Sequence, residues 1–247
     1  MSLHHARAGI LSTYGSSHEI ASPDDVLSFW FGAPLANEAD LMTRMQRWFR
    51  GGPAMDEDIR RRFGPTIEAA LRHELDGWAV TARGRLALVL LLDQMTRSLY
   101  RNDPRAYAGD AHAQALSAEA FDRGIHRELG FIEGMFLGMP MVHAENLMLQ
   151  ERVARLAMEL AAQAPPECRL MITMANEQTA KYLGIIRRFG RFPRRNAILG
   201  RASTPEEVEF LKTWSEPQPP KAMRDAPWRA LDPDNCCASR GNADTSV

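Results

Sequence analysis

The sequence predicts an all-α protein, an antiparallel helical array, and three observations carry that class. Apolar residues recur at helical spacing along most of the 247-residue chain. Helix starts are marked repeatedly by a capping side chain followed by proline, and no stretch alternates apolar and polar residues between hairpin turns. Short Gly/Pro connectors then favour antiparallel neighbours. A hydrophobic content of 45% suffices for one substantial core. A single helical domain over residues 22–214 is therefore expected, between a flexible leader at 1–21 and a flexible Pro-rich tail at 215–247.

Taken in order, Ser22-Pro23-Asp24-Asp25 supplies a cap, a proline at the first helical position and acids at the positive end of the dipole. Val26, Leu27, Phe29, Trp30 and Phe31 make this a buried helix, which Gly32 and Pro34 stop. Asn37 caps a second helix carrying Leu41, Met45, Trp48 and Phe49 and ending at Gly51-Gly52-Pro53. A third runs from about Met55 through Ile67, Ala70, Leu71 and Leu75, kinked or split at Gly64-Pro65 because proline removes an amide donor. Thr81 caps the most apolar helix, Leu86 to Leu92, which is apolar on all sides and therefore central. Asp103-Pro104 opens one helix that continues through Ala111, Ala115, Leu116 and Ala120 to Gly124. Phe131 to Leu137 reads as a short segment cut off by Met139-Pro140, and the next helix as Val142 to Ala162, closed by Pro165-Pro166. Glu167 to Phe189 is the last long amphipathic helix, and Pro205 to about Trp214 the final short one. Trp30, Trp48 and Trp78 are too irregularly spaced for a repeat of about 34 residues.

Composition excludes several classes. A net charge of −1 leaves no general basic surface, so nucleic acid is not an expected partner. The apolar run Leu86 to Leu92 falls far short of the roughly 20 residues of a membrane span. Met1 to Ile20 has no apolar stretch of the secretory kind, and a cytoplasmic location is expected. Cys168, Cys236 and Cys237 read as reduced thiols. No His-Glu-X-X-His, acidic calcium loop or cysteine cluster points to a metal. No phosphate-cradling glycine loop, dinucleotide fingerprint or Gly-X-Ser-X-Gly points to a cofactor or a nucleophilic serine. No cofactor is expected, and the oligomeric state is open.

The chemistry-bearing stretches are three. Phe189 to Glu207 is framed by Gly190 as a helix C-cap, Pro193, and the Thr204-Pro205/Glu207 start. In or beside it lie Arg187, Arg188, Arg191, Arg194, Arg195 and Arg201, forks of donors suited to carboxylate or phosphate, together with Asn196. Two readings stand open for it: an anion site, or a capping cluster in which guanidiniums hold helix-end carbonyls and pair with Asp93, Glu145 or other acids. Asp93 and Arg97, four apart with the acid first, form either a structural ion pair or a base and an anion clamp. His143, Asn146 and Gln150 fall at i, i+3 and i+7 of the expected helix, a polar stripe that faces either a ligand or a neighbouring helix, with Glu145 pointing elsewhere.

Val26 to Gly32, Trp48-Phe49, Asp93 to Arg101, Met139 to Gln150 and Arg188 to Glu207 together resemble a bacterial family, the domain of unknown function numbered nine-twenty-four. The resemblance covers roughly Asp24 to Leu211, and the arginine loop is its most specific part. It implies a tetratricopeptide-like helical fold and no particular activity. The chain departs from the family pattern at Met95-Thr96 (a Phe-Pro pair), Ser98 (Asn), Ala144 (Ser) and Arg194 (His).

Two functions follow as expectations. The first is a binding module for an anionic small molecule or acidic peptide, held by Arg97, Asn146, Arg191, Arg194, Arg195 and Asn196. The alternative is an enzyme acting on an anionic substrate with His143 or Asp93 as acid–base group.

Overall fold

Helix α1, Pro23–Phe31, starts where its cap chemistry puts it. In the computed structural model, which describes residues 19–214, Ser22 and Asp25 form a reciprocal capping box, and Gly32 ends the helix at a φ of 67°. The leader before residue 19, the Pro-rich tail from residue 215 and the Cys236-Cys237 pair lie outside the described residues. Among the described residues there are helices and turns only, with no strand, so the chain is all-α.

Asn37 caps α2, Glu38–Arg50, accepting from Asp40 N. Helix α3, Gly52–Leu71, differs from expectation: it begins earlier and runs through Gly64-Pro65 without splitting. Gly64 has no Cβ to clash with the proline ring, the carbonyl that Pro65 leaves without its donor belongs to exposed Arg61, and Phe63, Thr66 and Ile67 are fully packed. Burial on both sides of the proline outweighs a penalty of about 3 kcal/mol.

The central element is α4, Ala82–Val89, capped by Thr81 Oγ1. Leu86 to Leu92 are all essentially inaccessible, as predicted. At Leu90–Met95 the helix changes to a π segment, which the sequence does not announce, before finishing as α5, Thr96–Leu99. Both the Thr96 amide and its hydroxyl donate to the Leu91 carbonyl, the hydroxyl at 2.7 Å. That extra residue in the turn resets the direction of every side chain beyond it, Asp93 and Arg97 among them.

The single helix expected from Asp103 to Gly124 is two pieces: a 3₁₀ turn, Pro104–Tyr107, and α6, Asp110–Asp122. Gly109 separates them because the chain here lies against the π segment. A Cβ on Gly109 would sit 2.4 Å from the Leu92 carbonyl oxygen. Helix α7, Phe131–Val142, is longer than the predicted segment and passes through Pro140, held by buried Phe136, Leu137, Met141 and Val142. Ser117 Oγ donates to the Leu137 carbonyl at 2.6 Å beside the proline. Helix α8, Leu147–Gln163, therefore begins later than Val142, with Asn146 as its cap. It packs along α9, Arg169–Phe189, which ends at Gly190 in the left-handed conformation. Helix α10, Pro205–Thr213, closes the domain with the predicted Thr204/Glu207 capping box.

The core has two parts. The larger gathers α1 to α7 around Leu86 to Leu92. The smaller joins Met141, Val142, Val153, Tyr182, Ile185 and Ile186 around Phe192, which the arginine loop inserts with no exposed surface. The close backbone approach at Gly109 gives a direct check: Gly109→Ala is expected to lower unfolding free energy by about 2 kcal/mol through overpacking, read as a lower urea midpoint with an unchanged slope.

Candidate functional site

The π segment turns Asp93 into the interior, where it has no exposed surface. Four elements converge on it. The C-cap of α7 brings His143, whose Nδ1 lies 2.8 and 3.0 Å from the two Asp93 oxygens. Arg97, one turn on, donates from Nη2 to Asp93 Oδ1 at 3.1 Å and from Nη1 to Asp110 Oδ1 at 2.8 Å and the Ala106 carbonyl at 2.9 Å. The first turn of α6 supplies Asp110. The loop after α9 supplies Arg195, which donates to Asp110 Oδ2 at 3.2 Å and to the His143 carbonyl at 2.9 Å. Gln94 Nε2 donates to Asp93 Oδ2. The guanidinium carbons of Arg97 and Arg195 stand 5.2 and 4.6 Å from the centre of the Tyr107 ring.

A second network wires the loop to itself. Arg201 forms a fork with Glu145 at 2.6 and 2.9 Å, while the Phe192 amide donates to the same carboxylate at 2.8 Å. Arg191 forms another fork with Glu207 at 2.7 and 2.8 Å. Asn196 Nδ2 donates to Glu207 at 3.2 Å and to Ser203 at 3.1 Å, and its Oδ1 accepts from Arg201 at 3.0 Å. The Glu207 carboxyl is drawn down to about 2, first by its hydrogen bond from Arg191 and against the opposing effect of burial. Arg188 pairs with Glu206, and Arg187 with Glu151. Arg194 lies over the Tyr182 and Phe192 rings.

The fold thus brings His143, Asp93, Arg97 and Arg195 into one constellation, and gives Arg191 and Asn196 to a neighbouring one. The expected stripe of His143, Asn146 and Gln150 on one helix is corrected: His143 ends α7, Asn146 caps α8 by accepting from Leu149 N at 3.1 Å, and only Gln150 lies within α8. Gln150 is buried, donating to the Val142 and Ala144 carbonyls at 2.7 and 2.9 Å, and so ties the two helices together. Asp110 and Tyr107 were not singled out from sequence. An acid in a first helical turn is too ordinary to stand out, and the separation of 85 residues between Asp110 and Arg195 leaves no local pattern.

Residues 26–214 match the family described as a bacterial protein of unknown function (DUF924). The chain belongs to this family. A solved structure of a protein of unknown function, ATU0120 from Agrobacterium tumefaciens, is 33% identical, with the alignment covering 72% of this chain and 100% of that one at a TM-score of 0.57. No curated protein matches. In this DUF924 chain the site centres on the Asp93 to Arg101 stretch. Met95 fills the core and Thr96 bonds Leu91 across the π turn, whereas a proline at Thr96 would have no amide to donate there.

Burial pushes the Asp93 carboxyl up, but the charges of His143 and Arg97 and the hydrogen bonds from His143 and Gln94 hold it well below the ordinary carboxylate range. Burial, reinforced by the Arg97 and Arg195 charges, pushes the His143 imidazole below its usual value despite the pull of Asp93. The site therefore carries an ionised aspartate beside a neutral histidine at neutral pH. For both groups the unfolded chain binds the extra proton as the pH falls, so stability rises with pH. Stability conferred by His143 is expected to drain away below about pH 6.5, and that from Asp93 below about pH 4. His112, also lowered by burial, shares the first window. Urea midpoints measured from neutrality downward are accordingly expected to fall, with a shallower decline in His143→Gln. Asp93→Asn leaves Arg97 without one of its two carboxylates inside the fold and is expected to cost about 3 kcal/mol at pH 7, measured by the same denaturation.

Proposed function

We propose that this DUF924 protein is an enzyme acting on an anionic substrate, with His143 as its proton acceptor and donor. The observation that carries the reading is the Asp93–His143 pair. A carboxylate on Nδ1 fixes the proton there and leaves the Nε2 lone pair free to take a proton from a bound group, a general-base arrangement. Among the described residues Nε2 has no hydrogen-bond partner, and the histidine side chain keeps 12% of its surface exposed. Asp93 orients the ring and stabilises its charged form without itself giving up or taking a proton.

The anionic class rests on Arg97 and Arg195. Each guanidinium has five N–H donors, and the bonds described above occupy only part of them. Arg195 Nε is buried without a partner among the described residues, and the Arg97 side chain, which keeps 23% of its surface exposed, presents the edge that a substrate oxygen can reach. The binding-module reading keeps Arg97 and Arg195 as its residues. It loses force at Arg191 and Asn196, whose donors already serve Glu207, and at Asn146, whose oxygen serves the α8 amide.

Two measurements test the proposal. Diethyl pyrocarbonate, which acylates accessible neutral imidazoles, is expected to modify His143, located by peptide mass mapping. In a screen of phosphate and carboxylate esters, His143→Gln is expected to abolish turnover while its melting temperature at pH 7 stays near that of the wild type. A His143 that resists the reagent, with no ester turned over, would reduce the pair to a structural one.

A further inference from the structure

Away from this site, His73 and Asp76, three residues apart after α3, meet His112 of α6. His73 follows α3, Asp76 opens the 3₁₀ turn Asp76–Val80, and His112 lies in the first turn of α6. Asp76 Oδ2 is 3.2 Å from His73 Nδ1, and Asp76 Oδ1 is 3.4 Å from His112 Nε2. The three prospective donor atoms lie within 4.8 Å of one another. The two imidazoles stack with centroids 4.2 Å apart and planes 27° from parallel.

The backbone at His73 is the second observation. It occupies the left-handed position of a helix-ending motif: the His73 amide donates to the Ala70 carbonyl and the Glu74 amide to the Ala69 carbonyl, both at 3.0 Å. That position, at a φ of 64°, belongs by preference to glycine, which takes it without the steric cost a Cβ imposes. The chain instead carries an imidazole there and aims it at another imidazole and a carboxylate.

We propose that His73, Asp76 and His112 bind one divalent transition-metal ion of the zinc class. Imidazole and carboxylate ligands bind zinc at about 2.0–2.2 Å, so neighbouring ligand atoms of a tetrahedral site stand about 3.3 Å apart. Each Asp76 oxygen stands at that spacing from one imidazole, Oδ2 from His73 and Oδ1 from His112, as a carboxylate gripping the ion with both oxygens would. The remaining His73–His112 edge closes by rotation of His73, whose side chain is 60% exposed. His112 Nδ1 has no partner among the described residues, so no hydrogen bond there dictates which nitrogen of the neutral ring presents its lone pair. Two nitrogen donors out of three select a zinc-class ion over magnesium or calcium, which take oxygen ligands. Three protein ligands leave a fourth position open to water or a further ligand.

Titration calorimetry of the full chain with zinc chloride decides the matter. The wild type is expected to take up one more equivalent than either His73→Gly or His112→Ala, and a tenfold excess of magnesium is expected to leave that equivalent in place. His4, His5, Cys236 and Cys237 can bind zinc by themselves, but they are common to all three proteins and cancel in the comparison. His73→Gly also guards against misfolding as the explanation, because glycine suits the turn and is expected to raise the metal-free melting temperature while removing the ligand. Equal zinc stoichiometry and affinity in the wild type and both variants would overturn the site.

Discussion

An ionised carboxylate with no exposed surface must be answered from inside the protein, and the arrangement around Asp93 is organised by that requirement. Desolvating such a group costs several kcal/mol unless partners surround it. Here the answer comes from His143, Arg97 and Gln94, and each of these partners sets a further demand. Arg97 needs a second anion, which Asp110 supplies. Asp110 in turn holds Arg195, and Arg195 anchors the loop to the carbonyl of the histidine that faces Asp93. The chain of compensation closes on itself. The loop is consequently fixed by electrostatics at one end and by the fully packed Phe192 at the other.

The helical fold was legible because its signals are local. Ser22, Asn37, Thr81 and Thr204 each begin a helix as their side chains dictate, and Gly190 ends one because it lacks a Cβ. The sequence misleads at Pro65 and Pro140, where the burial that opposes the local proline penalty has no local signature, and at Gly109, whose role is to admit another part of the backbone. The π segment left no trace in residue pattern because its cause is tertiary: Thr96 finds Leu91 rather than the carbonyl one residue nearer.

Site residues divide along the same line. Asp93 and Arg97 are legible from their spacing of four with the acid first, and His143 from the polar stripe that its spacing with Asn146 and Gln150 suggests in an apolar stretch. Asp110 and Tyr107 are not, since their relevance exists only after α6 has packed. The arginine loop was recognisable as a cluster, but the sequence could not divide its members. Arg191 and Arg201 are forked onto Glu207 and Glu145, whereas Arg195 alone of the three crosses to Asp110 beside the buried pair.

The contacts that complete the centre join residues 50, 52 and 85 positions apart. Loops of that length carry an entropic cost that must be met before the pairing gives anything back. A nascent chain that has emerged only as far as α7 already contains Asp93, Arg97 and His143, but not the arginine that braces them. The loop therefore acts as a late keystone: a chain interrupted before residue 195 would carry the Asp93–His143 pair without the arginine that holds the His143 carbonyl and Asp110 in place.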